Sequence, residues 1–228
     1  MNNEVKMANE LKARFENINE ELRAAKTHFH IFNALRDPGT QLKKDLDRAP
    51  LFWSFTRQAH LQAAVISLCR IFDHHRDGIH FLGLLEAIRQ NAQLFDRQNF
   101  QKREKDSFFT LASNARIPTA KEIDRDIEFC GIRSPLVATL RKWRNNAIAH
   151  TSHRIILGQR MLPETDALTY EAIGKLIDGG YRILNLYSGL FQGETFDAFP
   201  EEQLNDFRQV FRHPKAPGPV HDASSCQR

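Results

Sequence analysis

The chain is 228 residues long, 41% hydrophobic and 26% charged, with 32 Lys and Arg against 28 Asp and Glu. That balance excludes a disordered protein and fits one domain with a substantial core. The N-terminus lacks a signal-peptide run, and the richest apolar segment, Leu61 to Phe72, is interrupted by Arg70 and too short for a bilayer. Cys69, Cys130 and Cys226 are far apart, without disulfide-framework or metal-ligand spacing, so a cytoplasmic protein with no membrane attachment is expected.

Nearly every periodic segment reads as helix. From Glu4 to about Leu35, the residues Leu11, Phe15, Ile18, Leu22 and Ala25 recur at three- and four-residue steps, predicting one long amphipathic helix that Asp37-Pro38-Gly39 stops. A second helix is predicted from Pro50 to Phe72 or Asp73; its centre is apolar nearly all round, which suits a buried central helix. Its polar exceptions, Ser67, Arg70 and Asp73 with His74, share one stripe. Further helices are expected at about His80–Asn91, Arg97–Ser113, Ala120–Phe129, Pro135–Asn145, Tyr170–Phe191 and Glu201–Phe211. Ser134 before Pro135, and Asp166 or Thr169 before Tyr170, have the chemistry of N-caps. Ile155-Ile156-Leu157 is the only short segment that resembles a strand. The expectation is an all-α bundle over residues 1–213, with residues 1–47 as a helical extension, 48–195 as the core and 214–228 as a disordered, proline-containing tail.

Charge is distributed unevenly. Between Phe129 and Pro163 lie six basic residues (Arg133, Arg141, Lys142, Arg144, Arg154 and Arg160) and no Asp or Glu, so the rest of the chain holds 26 basic against 28 acidic residues. An acid-free basic segment attracts polyanions, with a solvated helix face as the plainer reading. Within it, Arg144-Asn145-Asn146-Ala147-Ile148-Ala149-His150 places an Arg-Asn pair ahead of a histidine.

That heptapeptide resembles the R-N-x(4)-H signature of HEPN domains, all-α bundles of toxin–antitoxin and abortive-infection systems. Phe52-Trp53 with Arg57-Gln58-Ala59-His60, Arg70-Ile71-Phe72-Asp73 and Leu140-Arg141-Lys142-Trp143 are similar to the AbiU-type branch, and the likeness covers roughly Arg48 to Tyr187. It implies a metal-independent endoribonuclease that leaves a 2′,3′-cyclic phosphate and a 5′-hydroxyl, with no cofactor. It also implies a homodimer whose two motifs face each other, and an antitoxin protein as a further partner. The chemistry accounts for the residue types. His150, with an unperturbed pKa near neutrality, suits the base that takes the ribose 2′-OH proton. Arg144 offers a fork of donors to the phosphate, and Asn145 suits orienting the histidine or binding a backbone oxygen. Arg141, Lys142 and Arg154 are the expected RNA contacts.

Helix geometry sets a condition. Residues six apart on a straight α-helix point about 120° away from each other, so the helix must end or bulge near Asn145-Asn146, or Arg144 must reach round. Asp73 and Arg70 are supporting candidates: Asp73 either faces the cleft and orients His150, or forms an i, i+3 ion pair with Arg70 or a helix C-terminal feature. His153 is either a second proton carrier or phosphate ligand, or a loop histidine. His28, His30, His74, His75 and His80 include close pairs but complete no recognised ligand spacing, so no metal site is expected. Trp53 and Trp143 suit either base stacking or the core. Where nucleotidyltransferase-controlled HEPN toxins carry a modified tyrosine two places after the histidine, this chain has Ser152. Two other readings stand: a non-catalytic HEPN-like module that binds nucleotides or proteins, and a helix-turn-helix DNA binder built on Thr119–Ile132 and the helix after Ser134-Pro135.

Overall fold

A computed structural model describes residues 3–74, 78–103, 115–145, 168–197, 199 and 201–211. Helix α1 spans Asn3–Arg36 and places Leu11, Phe15, Ile18, Leu22 and Ala25 fully inside the core, as their spacing requires. The segment read as an extension thus shares the core of the residues that follow. A short helix, α2 (Gly39–Leu46), follows where the sequence suggested only a stop: Gly39 takes a left-handed φ of 65° at its start, and Leu42 is buried.

Helix α3 spans Pro50–Phe72, with the proline in its first turn. It runs antiparallel to α1, because Glu21 meets Arg70 near one end of the pair and His28 meets His60 further along. Its second half is the buried centre that the sequence suggests, through Ala64, Val65, Leu68, Cys69, Ile71 and Phe72. Its first half differs: Leu51, Phe52 and Phe55 stand in solvent. Helix α4 (Phe81–Gln90) starts at His80, whose Nδ1 accepts the Gly83 N–H at 3.0 Å. A 3₁₀ turn, Ala92–Phe95, leads to α5 (Arg97–Arg103); residues 104–113, expected to continue that helix, lie outside the described part.

Helix α6 (Ala120–Cys130) opens with a reciprocal capping box of Thr119 and Glu122. It buries Asp126, whose carboxylate receives Tyr187 Oη at 3.0 Å, Arg182 at 2.8 Å and Arg125 at 3.1 Å. Three donors satisfy a carboxylate that burial cuts off from water. Helix α7 spans Pro135–Trp143; Ser134 occupies its N-cap position, but its hydroxyl makes no capping bond. Helix α8 (Tyr170–Gln192) is capped by Thr169, which accepts the Ala172 N–H at 3.1 Å, and ends at Gly193 in the left-handed conformation. Midway along α8, a Cβ on Gly179 would strike the Phe129 ring and one on Gly180 would lie 2.7 Å from Leu22 Cδ2. The glycines let α8 lie close on α1 and α6 at a cost in helix propensity. Helix α9 (Glu201–Leu204) and a 3₁₀ turn, Asp206–Phe211, occupy the last expected helix. The architecture is all-α, with no strand among the described residues. Ile155-Ile156-Leu157, Asp166 and the 214–228 tail lie outside them.

Candidate functional site

The site forms where the C-terminal ends of α3 and α7 meet. Asp73 is the C-cap of α3; its backbone turns extended there, which frees its carboxylate from the helix face. Arg141 near the end of α7 and Arg144 just past it are three residues apart, and both turn toward α3. Both reach Asp73: Arg144 donates from Nη1 to Oδ2, and the Arg141 Nε lies 3.5 Å from Oδ1. The His74 backbone N–H adds a bond of 3.1 Å to Oδ1. Burial opposes ionisation of this carboxyl most strongly, yet Arg144, Arg141 and the His74 N–H together outweigh it and hold Asp73 below the usual carboxylate range.

Arg144 is gripped from a second side. Its Nε and Nη2 donate to Asn145 Oδ1 at 3.0 and 2.9 Å. Among the described contacts, three of its five N–H groups are engaged, and its side chain is 28% exposed, so two donors remain for an external acceptor. The α-helix also widens here: Arg144 and Asn145 form a π-helical turn directly after Trp143. A bulge near Asn145 is one of the geometries that the six-residue separation of Arg144 and His150 permits, and His150 itself lies outside the described residues.

The remaining expected residues divide. Arg70 points away from Asp73 and pairs with Glu21 of α1 at 3.0 Å, in place of the local Arg70–Asp73 pair that spacing alone permits. Lys142 is exposed on the far side of α7, while Trp143 packs against the core. Trp53 is half-buried with its ring edge-on to Phe52. His150, His153 and Arg154 lie outside the described residues, as does Ser152. Among the described residues no three His, Cys, Asp or Glu side chains are grouped for a metal ion, and no helix is long and apolar enough to cross a membrane.

Two neighbours were not marked as site residues by the sequence. His74 Nε2 lies 3.1 Å from the Cys130 carbonyl and ties the end of α3 to α6, holding Asp73 in place. Cys69, one turn before Asp73, lies close enough to feel both Asp73 and Arg144; burial pushes its thiol up to about 12. Arg141, expected as an RNA contact, also lies against Asp73. Its i, i+3 spacing with Arg144 in an acid-free stretch was the available signal, because their shared counter-ion had to come from another helix.

The chain belongs to the AbiU2 family of HEPN domains, whose model matches residues 8–209, a wider span than the motif likeness covers. It is an abortive-infection HEPN domain. No curated protein and no solved structure matches it. Both α6 and α7 lie inside the matched domain, and α7 turns its cationic end onto α3, so the helix-turn-helix reading is not carried forward.

Proposed function

We propose that the protein is a metal-independent endoribonuclease acting in the cytoplasm in phage defence or as a toxin. The observation that carries this reading is the Arg144 guanidinium, held by Asp73 and Asn145 with two donors unspent among the described residues, six residues before His150 in sequence. A guanidinium fixed by two partners does not reorganise when charge develops on a phosphate, which is what transition-state stabilisation demands. His150 removes the proton of a ribose 2′-OH, and the 2′-oxygen attacks the adjacent phosphorus. The bond from phosphorus to the 5′-oxygen breaks, and that oxygen takes a proton from solvent and leaves as an alcohol. The products are a 2′,3′-cyclic phosphate and a 5′-hydroxyl. Asp73 and Asn145 act as positioning residues for Arg144; Lys142 and Arg154 add attraction to the strand.

The test is cleavage of single-stranded RNA in excess chelator. Activity is expected to persist with chelator and to vanish on a substrate whose scissile ribose lacks its 2′-OH. His150→Ala should lower single-turnover cleavage by about 10²- to 10⁴-fold while binding is kept. Arg144→Ala should weaken both steps, because it also holds the ground-state phosphate. Binding of RNA without cleavage by the wild-type chain would favour the non-catalytic reading. Cleavage that needs a divalent metal would overturn the mechanism.

A further inference from the structure

Where α1 and α3 run side by side, two histidines meet that the Arg144 site does not use. His28 of α1 and His60 of α3 bring their Nδ1 atoms within 2.8 Å, with ring centroids 5.1 Å apart and planes at 42° to each other. Two N–H groups cannot face each other at that separation, so at most one of these nitrogens carries a hydrogen and the other presents a bare lone pair. Spacing along the chain does not reveal the pair, because its members are 32 residues apart on different helices. Beside it lies a hollow of about 390 Å³, bordered by His28, Glu20, Glu21, Ala24, Ala63 and Arg70. Its two carboxylates outnumber its one guanidinium, which favours a cation. Glu21 spends only Oε1 on Arg70; its Oε2 is buried with no hydrogen-bond partner among the described residues.

We infer that His28 and His60 are the two protein ligands of one divalent ion of the nickel(II) or copper(II) class, bound through Nδ1 of each ring, with water in the remaining positions. Metal–nitrogen bonds of about 2.0 Å that meet at a right angle put their nitrogens about 2.8 Å apart, whereas a tetrahedral zinc site needs about 3.3 Å. The separation between the two helices is thus already that of the right-angle pair. The rings now point nearly head-on, and tilting them until both lone pairs converge on one ion uses χ2, a soft torsion in histidine. The hydrogen between them moves through solvent to Nε2 of its own ring, so a neutral pair stays neutral. Imidazole nitrogen suits these ions, while magnesium and calcium demand oxygen donors. Glu20 and Glu21 border the hollow as acceptors for metal-bound water, the outer support that such sites use. Asp73 stands thirteen residues beyond His60, about 20 Å along the helix, so this ion lies apart from the Arg144 site and does not depend on the ribonuclease reading.

The test is calorimetric titration of nickel(II) into the full chain, prepared metal-free and without an affinity tag, beside His28→Gln and His60→Gln. The wild-type chain should bind one equivalent, and each variant should weaken that binding at least about 100-fold, since losing a ligand costs no less than losing its outer support. Nickel(II) at about 100 times the wild-type dissociation constant should raise the melting temperature by about 5–10 °C in the wild-type chain and by less than about 2 °C in either variant. Metal-free circular dichroism of the variants should match that of the wild type. Should a variant fail to fold, the wild-type chain decides: substoichiometric copper(II) is expected to broaden the imidazole resonances of His28 and His60 before those of the other histidines. Nickel(II) binding that both variants retain, tighter binding of zinc(II) than of nickel(II), or copper(II) that broadens other histidines first would each overturn the inference. So would a wild-type chain that binds no equivalent, which would leave the pair as a hydrogen bond between helices.

Discussion

Two carboxylates in this protein are each gripped by a pair of arginines, and they serve opposite ends. Asp126 is fully buried between α6 and α8, with Arg125, Arg182 and Tyr187 as its donors. Asp73 is 21% exposed at the junction of α3 and α7, with Arg141, Arg144 and a backbone N–H. In the first case the carboxylate is the buried member, and its guanidiniums spread outward to water. In the second, the carboxylate backs a guanidinium that keeps donors facing solvent. Equal charge pairing therefore makes a structural clamp where the acid is sealed and a presented cation where the acid lies behind it.

The largest effect expected from this contrast is on stability at Asp126. Asp126→Ala leaves the buried Tyr187 hydroxyl without its acceptor and should cost about 2–4 kcal/mol in urea unfolding. The arginines soften the loss, since both already reach solvent. A cost below about 1 kcal/mol would show that the clamp is dispensable and would break the comparison.

Asp73→Asn should act the other way round. It keeps the shape but loosens Arg144, so RNA cleavage is expected to fall by about 10- to 100-fold while stability drops by only about 1 kcal/mol. Single-turnover cleavage and urea melts on one preparation compare the two. A stability loss as large as that of Asp126→Ala, with cleavage per folded molecule unchanged, would make Asp73 a second clamp. Acid sharpens this further: the lowered pKa means that the stabilisation by Asp73 is present above its ordinary range and fades as pH falls through the depressed value.

The smallest effect belongs to a third paired carboxylate, Glu122 in the surface capping box. Arg116 first, then the Thr119 N–H, hold its pKa down to about 2 from 4.5. Its contribution is full above pH 4.5 and is lost as pH falls toward 2. Glu122→Gln should flatten that part of the pH–stability curve and cost about 0.5–1 kcal/mol at neutral pH, as surface pairs and caps do. An unchanged slope between those pH values would remove Glu122 from the account.

Much of this was legible in the chain itself. The steps between Leu11, Phe15, Ile18, Leu22 and Ala25, the proline that opens α3 and the Thr169 cap of α8 are local signals, and local periodicity sets helix position. The helix α2 was hidden because Pro38-Gly39 ends one helix and, through the positive φ of Gly39, begins the next. The sequence marked α3 as the buried central helix from its apolar centre, but burial depends on what lies opposite, and its first half finds no cover among the described residues.

The sequence by itself determined the helices, the acid-free basic segment and the Arg144-Asn145 pair, all properties of neighbouring residues. Only the tertiary structure decided which acid those cations meet. Arg70 is three residues from Asp73 and binds Glu21 instead, 49 residues away, while Asp73 takes Arg144 from 71 residues away. Asp73 terminates its helix in extended backbone, which turns its carboxylate off the face that Arg70 shares with α1 and toward the end of α7. Helical spacing gives only the direction in which a side chain starts; the packing of α3 between α1 and α7 selects its partner.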